Sequence, residues 1–146
     1  MVGIDLGERR IGVAVSDPSG TLASPWGVVE RSGDEHRDLD ALAQAAVQLA
    51  AEHVVVGLPL SLDGRRGRAA RAAQDEADRL GQVLEARGIP VETFDERLTT
   101  VSAERALANA HGRGPRGRAR RRARVDPAAA AVLLQAWLDA RGPSRD

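Results

Sequence analysis

Apolar residues alternate with small or polar ones twice within the first sixteen residues after Met1. Val2, Ile4 and Leu6 share one face at the strand period of two, and Ile11, Val13 and Val15 repeat the pattern after Gly7-Glu8-Arg9-Arg10. The pattern predicts two strands joined by a tight turn. Gly3, Asp5, Gly12 and Ala14 fall on the opposite face, which is small enough for a helix or a substrate backbone to come close. Asp5 is the one charge in that row. A carboxylate inside an apolar strand is costly unless it is paired or holds a metal, so Asp5 is the first candidate for a site; the alternative is a strand-end aspartate satisfied by turn amides.

Further along, Thr21 to Glu30 predicts a third strand, irregular at Pro25, and the polar run Arg31 to Arg37 predicts a loop. From Leu39 the period turns helical, with Leu39, Leu42, Ala43, Ala46, Leu49 and Ala50 on one stripe. His53 to Leu58 predicts a strand covered on both faces, because Val54-Val55-Val56 has no polar side. It stops at Gly57-Leu58-Pro59. Leu60 to Gly67 is rich in turn signals, and a long helix is expected from Arg68 to Arg87 with Ala69, Ala73, Ala77, Leu80 and Leu84 inward, ended by Gly88 and Pro90. Val91 to Asp95 predicts the next strand. Thr99 or Thr100 can cap a helix carrying Val101, Ala103, Ala106, Leu107 and Ala110. Gly112 to Arg124 reads as a mobile loop, and Asp126-Pro127 opens a last helix with Ala129, Val132, Leu133, Ala136, Trp137 and Ala140 inward. Strands and helices in this order make an α/β domain with a mixed sheet. Such sheets place sites at the carboxyl ends of strands and at helix starts, where Asp5, the pair Asp95 and Glu96, and Asp126 stand.

Composition narrows the chemistry. The 146 residues, 42% apolar, fit a single domain spanning 1–146. With no cysteine, disulfides, thiolate zinc sites and cysteine nucleophiles are all excluded, and His36, His53 and His111 have no metal-ligand spacing. The chain enters a strand at its second residue and has no long apolar run, so no signal peptide or membrane contact is expected and a cytoplasmic location is. Net charge is zero, yet all 21 basic residues are arginine, and seven of them lie between Arg113 and Arg124 with no acid among them. That run, with Arg65, Arg66 and Arg68, suits phosphate contact; the alternative is a solvated loop shaped by coding bias. Trp26, Trp137 and Phe94 are the whole aromatic complement, too few for a base-stacking platform.

Taken together, GIDLGERRIGVAVSD, VVVGLPLSLDG, DERLTT and VDPAAAAVLLQAWLD resemble the YqgF/RuvX family, the pre-16S rRNA nucleases once grouped with Holliday junction resolvases, over nearly the whole chain. The resemblance implies a ribonuclease-H-like fold with a five-stranded mixed sheet in the order 3-2-1-4-5, flanked by helices. It implies hydrolysis of phosphodiesters in structured nucleic acid by a metal-dependent endonuclease, with the 5′ end of precursor 16S rRNA favoured over a DNA junction. Asp5, Asp95, Glu96 and Asp126 would be the catalytic acids, Asp5, Glu96 and Asp126 holding Mg2+ or Mn2+. Arg9, Arg10, Arg65, Arg66, Arg97, Arg120, Arg121 and Arg122 would meet the nucleic acid.

Physical chemistry agrees with that reading. Two divalent ions about 3.5–4 Å apart can activate a water and stabilise the leaving oxygen, and hard magnesium needs only a few oxygen ligands because it keeps its waters. In the implied sheet order, the strand of Asp95 stands two places from that of Asp5, about 10 Å away. A glutamate spans that gap more easily than an aspartate. Alternation aims Asp95 and Glu96 in opposite directions, so only one is a ligand, and the sequence leaves open which. One departure stands out: RuvC resolvases carry a glutamate at the end of the strand after the first helix, where this chain has Gly57-Leu58-Pro59. Asp63 can supply a carboxylate there, or simply make an Asp-Gly turn.

Two other classes compete. GIDLG also resembles the phosphate-binding hairpin of actin-like and sugar-kinase ATPases, which need a second such domain that 146 residues do not hold. A non-catalytic RNA-binding module is the other. A monomer and a homodimer are both open; a junction resolvase is expected to be a two-fold dimer.

Overall fold

A computed structural model describes residues 1–59, 67–95 and 127–141. Among these residues the chain forms β1 (Val2–Leu6), β2 (Arg10–Ser16), β3 (Ala23–Glu30), α1 (Glu35–Gln48), β4 (Val54–Leu58), α2 (Arg68–Glu85), β5 (Val91–Asp95) and α3 (Pro127–Arg141). The strands make one sheet in the order β3-β2-β1-β4-β5. β1, β2 and β3 pair antiparallel, and β4 and β5 run parallel to β1, giving the expected mixed sheet.

Strand alternation divides the core into two layers. On one face Val2, Ile4, Ile11, Val13, Val54 and Val56 bury against Leu39, Leu42 and Ala46 of α1 and Ala77, Leu80 and Leu84 of α2. On the other, Ala14 and Val55 bury against Ala130, Leu134 and Trp137 of α3. The valine run of β4 is thus divided between two helix layers, as a strand apolar on both faces requires. Burying residues of the size of Ile4 or Leu80 stabilises the fold by about 1.5–3 kcal/mol each.

Small residues set the approach of α3. A Cβ built on Gly3 would lie 2.7 Å from Leu134 Cβ and 3.2 Å from the Ala130 carbonyl oxygen. The small face of β1 therefore receives a helix. The irregularity expected at Pro25 is a register shift: Val13 pairs with Gly27 and Ala14 with Pro25, so Trp26 has no partner across the ladder. Proline cannot donate to the ladder, and the bulge accommodates it.

Several details differ from expectation, β3 beginning at Ala23 rather than Thr21 among them. α1 begins at Glu35 rather than Leu39, because the polar run expected as a loop contains its cap: Asp34 Oδ1 accepts the His36 N–H at 3.0 Å, and Asp38, four residues on, is buried. It ends at Gln48, with Ala50 in the left-handed region at φ 53°. α2 stops at Glu85, two residues short of Arg87. α3 buries Ala129, Leu133 and Trp137 as expected, but its buried face is shifted to take in Ala130, Ala131, Leu134 and Leu138, and leaves Val132 37% exposed. An alanine-rich helix carries too little contrast between its sides for periodicity to choose one.

The expected helix after Thr100, the loops 60–66 and 112–124, and Asp63, Arg65, Arg66, Glu96, Arg97, His111, Arg120, Arg121, Arg122 and Asp126 all lie outside the described residues. Among the described residues no helix is long and apolar enough to cross a membrane.

Candidate active site

Asp5 is the penultimate residue of β1 and only 2% exposed. Across the antiparallel ladder it pairs with Gly12, while on the parallel side Gly3 pairs with Val55 and Ile4 with Val56. That register brings Asp5 level with Gly57, whose partner on β5 is Phe94. Glycine thus flanks Asp5 on both neighbouring strands.

The final helix aims its amino end at the same place. α3 runs opposite to β1: Arg141 Nη1 lies 3.6 Å from the Met1 sulfur at one end, and Ala130 and Leu134 cover Gly3 midway. Its first residue, Pro127, therefore lies towards the end of the sheet that carries Asp5. Helix amino termini favour negative charge, and Asp126 precedes Pro127 in the sequence.

Asp95 closes β5 opposite Leu58. Phe94 packs with the α3 layer and Val91 with the α1–α2 layer, so alternation puts Asp95 on the face opposite Asp5. The structure does not bring these two carboxylates together through the strand register. Neither is without an interaction partner. Among the described residues no three of His, Cys, Asp and Glu form a metal-binding group. The donor chemistry at Asp5 still fits a hard divalent ion, since a buried carboxylate stands between glycines with, among the described residues, no thiolate or imidazole grouped with it to favour a softer metal.

Arg9 sits in the exposed β1–β2 turn, and Arg10, also exposed, opens β2. Arg10 pairs with Glu30 at 3.1 Å with both side chains more than half exposed, an ion pair of little energetic weight.

Sequence patterning missed a charged network behind this turn. Arg31, just past β3, donates from Nε to the Gly7 carbonyl at 2.7 Å, and from Nη1 and Nη2 to the two Glu76 oxygens at 2.9 and 3.0 Å. Asp38 stands 3.9 Å from the same guanidinium and accepts from Ser32 N at 3.0 Å and Ser32 Oγ at 2.8 Å. The hydrogen bonds to Glu76 raise the Arg31 pKa against the opposing effect of burial. Local spacing carries no signal for a pair 45 residues apart.

Two other polar groups stand at the far end of the sheet. Asp17 closes the β2–β3 turn, its carboxylate accepting from Thr21 N at 2.7 Å, Leu22 N at 3.1 Å and Ser19 Oγ at 2.7 Å. These donors, Leu22 first, hold its pKa below the ordinary carboxylate value. His53 stacks on Trp137 with centroids 5.1 Å apart, and Trp137 Nε1 donates to Glu92 Oε1. His53 Nε2 approaches that oxygen to 3.3 Å but makes no hydrogen bond. Arg141 covers Trp137 at 4.6 Å. Trp137 is thus committed to packing and offers no surface to a base.

Known proteins resemble the chain throughout its length. The family described as RuvX, Holliday junction resolvase, matches residues 1–140. A Mycobacterium sp. (strain KMS) protein named "Putative pre-16S rRNA nuclease" is 46% identical over 140 residues, covering 96% of this chain and 79% of its own length. A Myxococcus xanthus (strain DK1622) protein of the same name is 46% identical over 142 residues, covering 97% and 89%. Among solved structures, Thermus thermophilus RuvC in complex with a Holliday junction substrate superimposes with a TM-score of 0.55 at 16% identity, over 97% of this chain and 95% of that one. The fold is the ribonuclease-H-like fold of RuvC.

Proposed function

This chain belongs to the RuvX family, and from that premise we propose that it is a metal-dependent endonuclease hydrolysing phosphodiesters of structured nucleic acid, with precursor 16S rRNA as its substrate. The observation that carries the reading is Asp5, a buried carboxylate at the carboxyl end of the central strand, flanked by glycines and on the face covered by α3. Its ligand partners in this reading are Glu96 and Asp126, with Mg2+ or Mn2+ as the ion. Asp95 falls on the face opposite Asp5, which favours Glu96, the next residue in the sequence, as the ligand. The strand after the first helix ends in Gly57-Leu58-Pro59, with no acid, so this reading takes the further carboxylate from the sequence after β5, a strand two places and about 10 Å from β1. The longer glutamate suits that span. Asp126, before the first residue of α3, joins them from the helix start.

A divalent ion held by these acids supplies Lewis-acid stabilisation and an activated water. The protein's own part is to exclude bulk water from Asp5, hold the carboxylates, and neutralise phosphates with arginine. Arg9, Arg65, Arg66, Arg97 and the run Arg120, Arg121, Arg122 take that last role. RNA is preferred to a DNA junction because the relatives at 46% identity are named for precursor rRNA, whereas RuvC shares only 16%. A substrate of that kind belongs in the cytoplasm, and a monomer can serve it; junction resolution calls for a two-fold dimer.

Purified protein assayed on precursor-like RNA, duplex DNA and four-way junctions, with Mg2+ or Mn2+ and with chelator, tests the proposal. RNA cleavage abolished by chelator and by Asp5→Asn, with an unchanged circular-dichroism spectrum, is the expected result. Preferential junction cleavage would replace the substrate, and an active Asp5→Asn would remove the site.

A further inference from the structure

The turn that follows Asp5 is gripped from behind by one side chain. Gly7 is two residues beyond Asp5, and its carbonyl accepts the 2.7 Å bond from Arg31 Nε. The Arg31 backbone N–H donates to the Arg9 carbonyl at 3.0 Å, and Gly7 N donates to the Arg10 carbonyl at 3.0 Å. Arg31 therefore holds the turn at two points, Gly7 and Arg9. The far side of its guanidinium is locked by Glu76, which is 9% exposed in the middle of α2, and lies beside Asp38, which is 4% exposed in α1. Ser32 in turn fixes Asp38. One guanidinium thus ties the end of β1 to both helices of that layer.

Resting on the reading of Asp5 as a metal ligand, we infer that Arg31 is a positioning residue, fixing the Asp5 carboxylate through the Gly7 carbonyl with Glu76 as its anchor. Only arginine does this, because its planar fork presents donors in two directions at once, whereas a lysine ammonium is a point charge on a flexible stem. Residues behind a metal ligand set its orientation, and losing them costs metal affinity although they never touch the ion. An open cleft of about 740 Å³, lined in part by Glu8, Arg9 and Arg79, adjoins the network, and the Arg31 side chain is 23% exposed. Water can therefore solvate whatever a substitution uncovers.

The test compares unsubstituted protein, Arg31→Lys and Glu76→Gln by Mn2+ titration calorimetry and amide hydrogen exchange, with Asp5→Asn as the control for the metal site. Arg31→Lys should raise the Mn2+ dissociation constant about tenfold or more and speed exchange at Gly7, whose N–H closes the turn, at temperatures where it remains folded. Glu76→Gln keeps the Arg31–Gly7 hydrogen bond and should show a smaller rise. Equal loss of melting temperature in both variants, with Mn2+ affinity unchanged, would make the network merely structural and overturn the inference. Mn2+ binding that is absent from the unsubstituted protein, or survives Asp5→Asn, would instead overturn the metal-site reading. If Arg31→Lys does not fold, the unsubstituted protein still decides: by linkage a clamp that favours metal is tightened by it, so saturating Mg2+ should slow exchange of the Arg31 Nε–H, and no change overturns the inference.

Discussion

Gly3 and Leu134 touch backbone to side chain, with no room between β1 and α3 for even a methyl group. The distance from sheet to helix is set where they meet, two residues from Asp5 and on the same strand face. Gly3→Ala must shift the backbone of α3 or β1, because the atoms the new methyl meets, the Leu134 Cβ and the Ala130 carbonyl, move with no change of rotamer. Overpacking of this kind costs about 1–3 kcal/mol. We expect a lowered melting temperature and a loss of cleavage larger than the unfolded fraction explains, measured on the same preparation. An unchanged melting temperature would show that α3 yields freely.

Asp126 is placed by sequence both to cap α3 and to bind metal. Asparagine caps about as well as aspartate, whereas alanine costs about 1 kcal/mol. Asp126→Asn should keep most of the melting temperature and lose activity; Asp126→Ala should lose both. A fully active Asp126→Asn beside a destabilised Asp126→Ala would leave the residue as a cap alone.

Replacing Arg120, Arg121 and Arg122 by alanine should weaken binding alike for all sequences. The slope of log affinity against log salt should fall by about 0.7–0.9 for each phosphate no longer neutralised. Binding titrations at several salt concentrations measure it, and an unchanged slope would mean that the run is only solvated.

Asp17 predicts a pH effect away from the site. Its folded pKa lies below the ordinary 3.8 because Leu22, Ser19 and Thr21 donate to the carboxylate. A lowered acid pKa contributes stability above the ordinary value and loses it as pH falls through the folded value. The melting temperature of the unsubstituted protein should therefore drop more steeply than that of Asp17→Asn between about pH 4 and pH 2. Parallel curves would mean that the turn bonds do not favour the charged form.

The period-two pattern of Val2 to Val15 was sufficient for the central hairpin, and the small face of Gly3 and Ala14 announced a close neighbour that proved to be α3. What that face could not reveal was which side of α3 meets it. Alanine at 128 to 131 is nearly the same all round, so packing against Gly3 decides the matter. Likewise Ser32, Asp34 and Asp38 have the composition of a loop, and only their mutual hydrogen bonds make them a helix start. The Arg31–Glu76 pair joins a strand end to a helix middle and leaves no local trace. For the candidate site, the position of Asp5 was legible from its isolation among apolar and small residues. The opposed faces of Asp5 and Asp95 emerged only once the pairing of β1, β4 and β5 fixed their register.

The packing of α3 on β1 has a consequence for the order in which the sheet is covered. β1 leaves the ribosome well before α3, its cover, which follows more than a hundred residues later. Synthesis proceeds from the amino end, so a nascent chain shows Gly3 to water until residues 127–141 emerge and dock. A fragment that stops before Pro127 would therefore leave the Gly3, Ala14 and Val55 face of the sheet bare.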